Sequence, residues 1–206
     1  MKKNVIIIVT ILVVALLGVG IFYMVNSSHS GSSNDAKNES GGILNKDSKV
    51  LVVYYSAQSH TETVAEKIAS NLGADIFEIV PKVEYSAADL DWSDSSSRVS
   101  REHDDEGLRD AELVSTSVDD WELYDTILIG YPIWWGEAAW VANNFVKDND
   151  FTGKIVIPFC TSASSSIGSS AKLLEDMTKT GNWKTGYRFS SSATDVDIKT
   201  FTDSIK

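Results

Sequence analysis

Positive charge and cysteine are both scarce in this chain, and each shortage removes a class of function. Eighteen basic side chains face 29 acidic ones, for a formal net charge of −11 over 206 residues. Such a surface repels nucleic acid and anionic lipid headgroups. It suits a basic partner protein, or it discourages an extra electron on a bound cofactor. The one cysteine, Cys160, can neither close an internal disulfide nor build a cysteine-based metal site by itself, and it does not fix the compartment. Glycine-rich nucleotide motifs are also missing. No Gly-Lys-Ser/Thr follows a glycine-rich loop, which argues against a P-loop hydrolase, and the three-glycine dinucleotide fingerprint is absent. No internal repeat is visible.

What is present begins with an apolar run. Val5 to Val25 contains no charge, and as a helix it would span about 31 Å, the thickness of a bilayer's hydrocarbon core. The apolar core of a cleaved secretory signal is shorter and ends at small residues, whereas this run exits through Phe22-Tyr23-Met24-Val25. The expectation is an uncleaved single-pass anchor over residues 1–27. Lys2 and Lys3 precede it and the next basic residue is Lys37, so the remainder is expected on the extracytoplasmic side of the cell membrane. Residues 28–46, rich in Ser, Gly and Asn, read as a flexible tether. Residues 47–206 form the expected folded domain.

That domain alternates strand and helix. Val50 to Tyr55 is a continuous apolar, β-branched run, the pattern of a strand buried on both faces. Thr61 to Leu72 places Val64, Ala65, Ile68, Ala69 and Leu72 on one helical stripe. Strands are expected at Asp75–Val80, at Asp125–Tyr131 ending at Pro132, at Lys154–Phe159 and at Gly186–Phe189. Helices are expected from Trp140, over Ser169–Thr178 and over Asp195–Lys206. The alternation predicts a doubly wound α/β fold with a parallel sheet, right-handed crossovers and helices on both faces. It lapses between Ser86 and Val118, a polar stretch expected to hold one or two short surface helices.

In such a sheet, ligands sit beyond the carboxyl ends of the strands. Three loops leave those ends. Ser56-Ala57-Gln58-Ser59-His60-Thr61 offers hydroxyls, an amide and the N–H groups of a helix start, a phosphate site that needs no lysine. The same residues also read as plain helix capping, because Ser59 with Glu62 has capping-box spacing. Tyr131-Pro132-Ile133-Trp134-Trp135-Gly136 brings two adjacent indoles, of which at most one is expected wholly in the core. The other makes a flat wall for a planar ring, and stacked aromatics add on the order of 1 kcal/mol beyond area burial. Thr161 to Gly168 is mostly small or hydroxylated and uncharged, suited to the polar edge of a ring, or else an ordinary loop. Cys160 just before it reads as a packed thiol rather than a nucleophile. Ser56 stands where a phospho-receiver domain needs acids, and no Arg follows Cys160 at the spacing of a small tyrosine phosphatase.

The stretch VLVVYYSAQSHTETVAEKIA resembles the opening of flavodoxins. YPIWWGEAAWVANNF and PFCTSASSSIGSSAKLL are similar to the second and third flavin loops of a flavodoxin-like family common in low-GC Gram-positive bacteria. The resemblance implies a five-stranded parallel sheet in order 2-1-3-4-5 and non-covalently bound FMN. It implies that Ser56, Gln58, Ser59, His60 and Thr61 hold the FMN phosphate. Pro132, Ile133, Trp134, Trp135 and Gly136 would line the isoalloxazine ring, with a carbonyl near Trp135-Gly136 able to turn toward the ring's N5–H. Thr161, Ser162, Ala163 and Ser164 would face its pyrimidine edge. Ser59 departs from the glycine usual in the phosphate loop. No aromatic comes from the third loop, so Tyr85 or Trp92 of the polar insert is the candidate to cover the other flavin face. The functional expectation is an electron carrier meeting redox partner proteins, basic ones among them. The alternatives are an FMN-dependent NAD(P)H or quinone reductase and a non-redox module that has lost flavin. With no Lys or Arg in the third loop, a low potential for full reduction is expected. No metal site is expected; the acidic run around His103 reads as a solvated face.

Overall fold

Strand β1 (Val50–Tyr54) shows why its sequence carries no polar gaps. Leu51, Val53 and Tyr55 enter one apolar cluster and Val50, Val52 and Tyr54 the other, so the period-two alternation of side chains feeds two cores at once. The computed structural model describes residues 42–206; the apolar run Val5–Val25 and most of the expected tether lie outside the described residues. Among the described residues no helix is long and apolar enough to cross a membrane.

Helix α1 (His60–Leu72) returns the chain to strand β2 (Asp75–Glu78) at the sheet edge. The excursion that follows carries α2 (Arg98–Asp104) and a 3-10 turn at Glu106–Leu108. Then come β3 (Thr126–Trp134), β4 (Glu137–Ala138), α3 (Ala142–Asp148), β5 (Ile155–Ser162), α4 (Ser170–Thr178), β6 (Asn182–Trp183), β7 (Tyr187–Ser190) and α5 (Asp195–Ile205). The sheet order is β2-β1-β3-β5-β6, all parallel, with β7 also parallel to β5 and β4 antiparallel to β3. Helices α1 and α5 cover one face through Val64, Ile68, Ile198, Phe201 and Ile205. Helices α3 and α4 cover the other through Phe145, Val146 and Leu174.

The structure departs from the sequence reading in local details. Strand β3 does not stop at Pro132 but runs on to Trp134, because Pro132 still pairs with Thr161 and its carbonyl accepts from Ala139 N–H at 3.0 Å. It then turns back through Trp135 (φ 47°) and Gly136 (φ 84°) into β4. A two-residue hairpin with both central φ positive matches the twist of its flanking strands, and nothing in the alternation of apolar residues marks it. As a result α3 starts at Ala142, after a fully buried Trp140. The last place in the sheet is divided: β6 lies beside Ile155–Val156 and β7 beside Phe159–Ser162. The gap faces Pro158, which has no N–H to give to a ladder. Gly130 in mid-strand has a packing reason, since a Cβ there would sit 2.2 Å from the Phe159 ring.

The polar excursion is tied at its base, where Pro81 bridges Leu113 and Lys82 N–H donates to Glu112 O (2.8 Å). Its centre is Glu102, only 5% exposed. That carboxylate accepts from Arg98 Nε (2.7 Å), Tyr85 OH (2.6 Å) and Trp140 Nε1 (2.7 Å). Three donors, one of them cationic, are what a buried carboxylate requires.

Candidate functional site

The three loops singled out by sequence meet at the carboxyl ends of β1, β3 and β5. They share one cavity of 310 Å³ lined by Ser56, Gln58, His60 and Thr61, by Pro132, Ile133, Trp134 and Trp135, and by Thr161, Ser162 and Ala163. Ser59, Gly136 and Ser164, placed in the site by resemblance, are not among its lining residues. Ala57, Ser191 and three residues of the excursion (Leu90, Trp92 and Val99) complete the wall.

The first loop is built to leave donors open. Ser59 adopts a left-handed conformation (φ 59°) and its side chain makes no capping bond, so the capping box suggested by Ser59 and Glu62 does not form. In that conformation its carbonyl accepts from Thr63 N–H (3.0 Å) and Thr63 Oγ1 (2.9 Å), while the first N–H groups of α1 are left without a side-chain cap. Helix N-termini of this kind favour anions. Beside them Ser56 Oγ is buried and has no hydrogen-bond partner. An orphaned buried hydroxyl costs free energy unless something satisfies it. The loop is fastened to the third loop by a 2.8 Å bond between Thr61 Oγ1 and Thr161 Oγ1. Two hydroxyls sharing one bond leave a second proton free to donate.

The second loop supplies the wall. Trp134 is half-buried, wedged edge-on among Tyr55 (5.8 Å), Tyr85 (5.2 Å) and Trp140 (4.8 Å). Trp135, 43% exposed, stacks on His103 of α2 at 4.4 Å. Neither member of the tandem is in the core; Trp140, at 2% exposure, is the buried indole. Glu102 thus positions the wall indirectly, because Tyr85 and Trp140, two of the rings against Trp134, both donate to it. Of the two residues named as possible covers, Tyr85 lies behind Trp134 and does not line the cavity. Trp92 lines it and is 75% exposed.

In the third loop the Ser162 hydroxyl is already engaged, donating to Ser165 O and accepting from Arg188 Nε (3.0 Å). Arg188, on β7, escaped the sequence reading because it lies 26 residues beyond the loop it serves. The available signal was a lone cation within the last parallel strand, level with Cys160 at the foot of the third loop. Cys160 beneath the loop is fully buried; burial pushes its thiol up to about 12, against a smaller opposing pull from Arg188. It is a packed thiol, not a nucleophile. Among the described residues no group of three or more His, Cys, Asp or Glu side chains is placed to hold a metal ion. The cavity can therefore take a phosphate ester at the α1 start and a flat ring against Trp134, with no charged side chain at the phosphate.

The comparisons agree with this geometry. Residues 49–205 match the family model described as Flavodoxin. A candidate flavoprotein from Bacteroides eggerthii DSM 20697 is 38% identical, with a TM-score of 0.69, covering 77% of this chain and 98% of its own. A second, from Bacteroides uniformis ATCC 8492, is 39% identical at a TM-score of 0.69, covering 76% and 98%. A flavoprotein from Lactobacillus acidophilus NCFM, solved in complex with FMN, is 26% identical at a TM-score of 0.55, covering 68% and 93%. No curated protein matches. With three loops converging on one cavity and a family match across nearly the whole described domain, the chain belongs to the flavodoxin family.

Proposed function

We propose that this protein binds FMN non-covalently and carries electrons between partner proteins at the outer face of a membrane. The cofactor is FMN. The observation that carries the reading is the buried, unpartnered Ser56 hydroxyl beside an uncapped helix start, in a cavity walled by Trp134. These groups fit a ribityl phosphate ester held by neutral donors, with the ring lying against indole. FMN supplies the redox chemistry. The chain's own residues bind, orient and partly shield it. Ser56, the first N–H groups of α1 and the spare Thr61/Thr161 proton hold the phosphate end. Trp134 and Trp135 would flank the ring, and the N–H of Ala163, in the cavity wall, would face its pyrimidine edge.

The membrane location rests on the Val5–Val25 run and the Lys2-Lys3 pair before it. The acidic balance of the chain favours basic redox partners. A second reading, an FMN-dependent reductase, draws on one observation. Trp92 stands exposed at the cavity wall, where a planar substrate could stack over the flavin.

Purified full-length chain, stripped and titrated with FMN, should take up one equivalent, with a shifted absorption band and quenched flavin fluorescence. A colourless protein that takes up none would overturn the proposal. Bleaching of the bound flavin by NADH or NADPH without a partner would select the reductase over the carrier. Added protease should digest the domain on intact cells; full protection would remove the extracytoplasmic assignment.

A further inference from the structure

The third loop is held from behind by one cation. Arg188 Nη2 donates to the carbonyls of Ser162 (2.9 Å) and Ala163 (3.0 Å), and its Nε donates to the Ser162 hydroxyl (3.0 Å). Because a trans peptide points its C=O and the following N–H in opposite directions, this grip turns the N–H groups of Ala163 and Ser164 away from the guanidinium. Neither N–H has a partner among the described residues. The charge is also uncompensated: Arg98 and Arg109 are paired with Glu102 and Glu137, whereas Arg188 joins no ion pair among the described residues. In a chain of net charge −11, a part-buried guanidinium with no ion pair, standing on β7 behind a loop of the cavity, calls for an anionic counterpart.

We propose that Arg188 is a positioning residue for the flavin's pyrimidine edge, fixing the Ser162–Ala163 peptides and placing a positive charge behind an edge that becomes negative on full reduction. The inference rests on the FMN reading. It also revises the expectation of a third loop without cationic influence: the acidic surface still lowers the potential, and Arg188 offsets part of that effect. Its planar fork binds two carbonyls and a hydroxyl at once, which a lysine cannot reproduce.

The test is anaerobic titration of the full-length chain with dithionite, beside FMN binding measured by fluorescence. In the couple, FMN gains two electrons from dithionite and one proton from water to give FMNH⁻. Arg188→Gln should weaken oxidised FMN about threefold and reduced FMN about thirtyfold. That tenfold difference equals a fall of about 30 mV in the two-electron midpoint. Arg188→Lys keeps the charge and loses the fork, so it should weaken both forms alike and leave their ratio within about twofold of the parent's. An Arg188→Gln protein with the parent's affinity ratio would overturn the electrostatic role. If that variant does not fold, an Arg188→Lys protein binding both forms as tightly as the parent overturns the positioning role. A parent that binds no FMN brings down the FMN reading and this inference together. A parent and variants that bind and reduce FMN identically bring down this inference alone.

Discussion

Helices α1 and α5 begin with the same kind of sequence and finish differently. Ser59-His60-Thr61-Glu62 and Thr194-Asp195-Val196-Asp197 both place an acid three residues after a hydroxyl. At α5 the capping box is complete: Thr194 Oγ1 accepts from Asp197 N–H (3.3 Å), and the Asp197 carboxylate accepts from Thr194 N–H (2.8 Å). Accepting that bond and a second from the Thr194 hydroxyl (2.8 Å) holds the Asp197 carboxyl below the usual carboxylate range. At α1 Ser59 is turned into the left-handed region, no box forms, and a buried hydroxyl nearby has no partner. One helix start is closed by its own side chains. The other is left open at the mouth of a cavity, and stability withheld there is what a ligand supplies on binding.

The largest effect should come from closing the open start. Ser56→Asp would set a carboxylate where phosphate is expected and should weaken FMN at least about 100-fold, or about 2.7 kcal/mol. Ser56→Ala should weaken it about tenfold, since a hydrogen bond to a charged group is worth about 1.5–3 kcal/mol. Apo-protein melting should be no lower with Ser56→Ala, because an unsatisfied buried hydroxyl has been removed. Titration and apo melts read both, and unchanged affinity in the two variants would mean the start is not a phosphate site.

Breaking the closed start is expected to do the reverse. Thr194→Ala should lower stability by about 1 kcal/mol in chemical denaturation while leaving FMN affinity unchanged. A loss of affinity would show that the two starts are coupled.

Ser59→Gly sharpens the contrast more gently. A left-handed conformation costs a non-glycine residue about 1–2 kcal/mol, and glycine returns roughly 0.5–1 kcal/mol of that as unfolded-state entropy. A net gain of about 0.5–1 kcal/mol is expected. If the variant instead loses as much as Thr194→Ala, Ser59 caps the helix in solution after all.

The smallest effect concerns the acids around α1. The carboxyl of Glu78 is held above the usual range, first by burial and then by Glu62, Glu84 and Glu66. A raised folded-state value means its favourable contribution is full below the unfolded value, near 4.3, and is lost as pH rises through the folded value. Because Glu78 is exposed and solvent screens its neighbours, Glu78→Gln should stabilise the protein at pH 7 by no more than about 0.5 kcal/mol and give no gain near pH 3.5. Equal gains at both pH values would remove the charge explanation.

These cases mark how far the chain could be read from its letters. The three site loops were legible because each leaves the carboxyl end of a strongly apolar strand, where parallel sheets expose their loops. The core was legible for a related reason: continuous β-branched runs such as Val50–Tyr54 make sense only if both faces are covered. That the capping alternative at Ser59 failed has an equally physical cause. Capping-box spacing is necessary for a box but not sufficient, because the backbone angle that decides it is imposed by the turn out of β1. That at most one of Trp134 and Trp135 enters the core was legible, but the hairpin that seats them was not, since it depends on two positive φ angles that no apolar pattern records. Glu102 and Arg188 were missed because the partners that give them their roles, Tyr85 and Trp140 for one and the Ser162–Ala163 loop for the other, lie 17 to 38 residues away.

By itself the sequence determined the alternation of strand and helix, the doubly buried sheet and the three loops that reach one end of it. Those follow from local periodicity and from the burial that it demands. Only the tertiary structure decided which helix start stayed open, which indole became wall rather than core, and which arginine stands behind the third loop. The first turns on a backbone angle at Ser59 that no side-chain spacing records; the other two depend on contacts between residues distant in sequence, and such pairings exist only once the chain has folded.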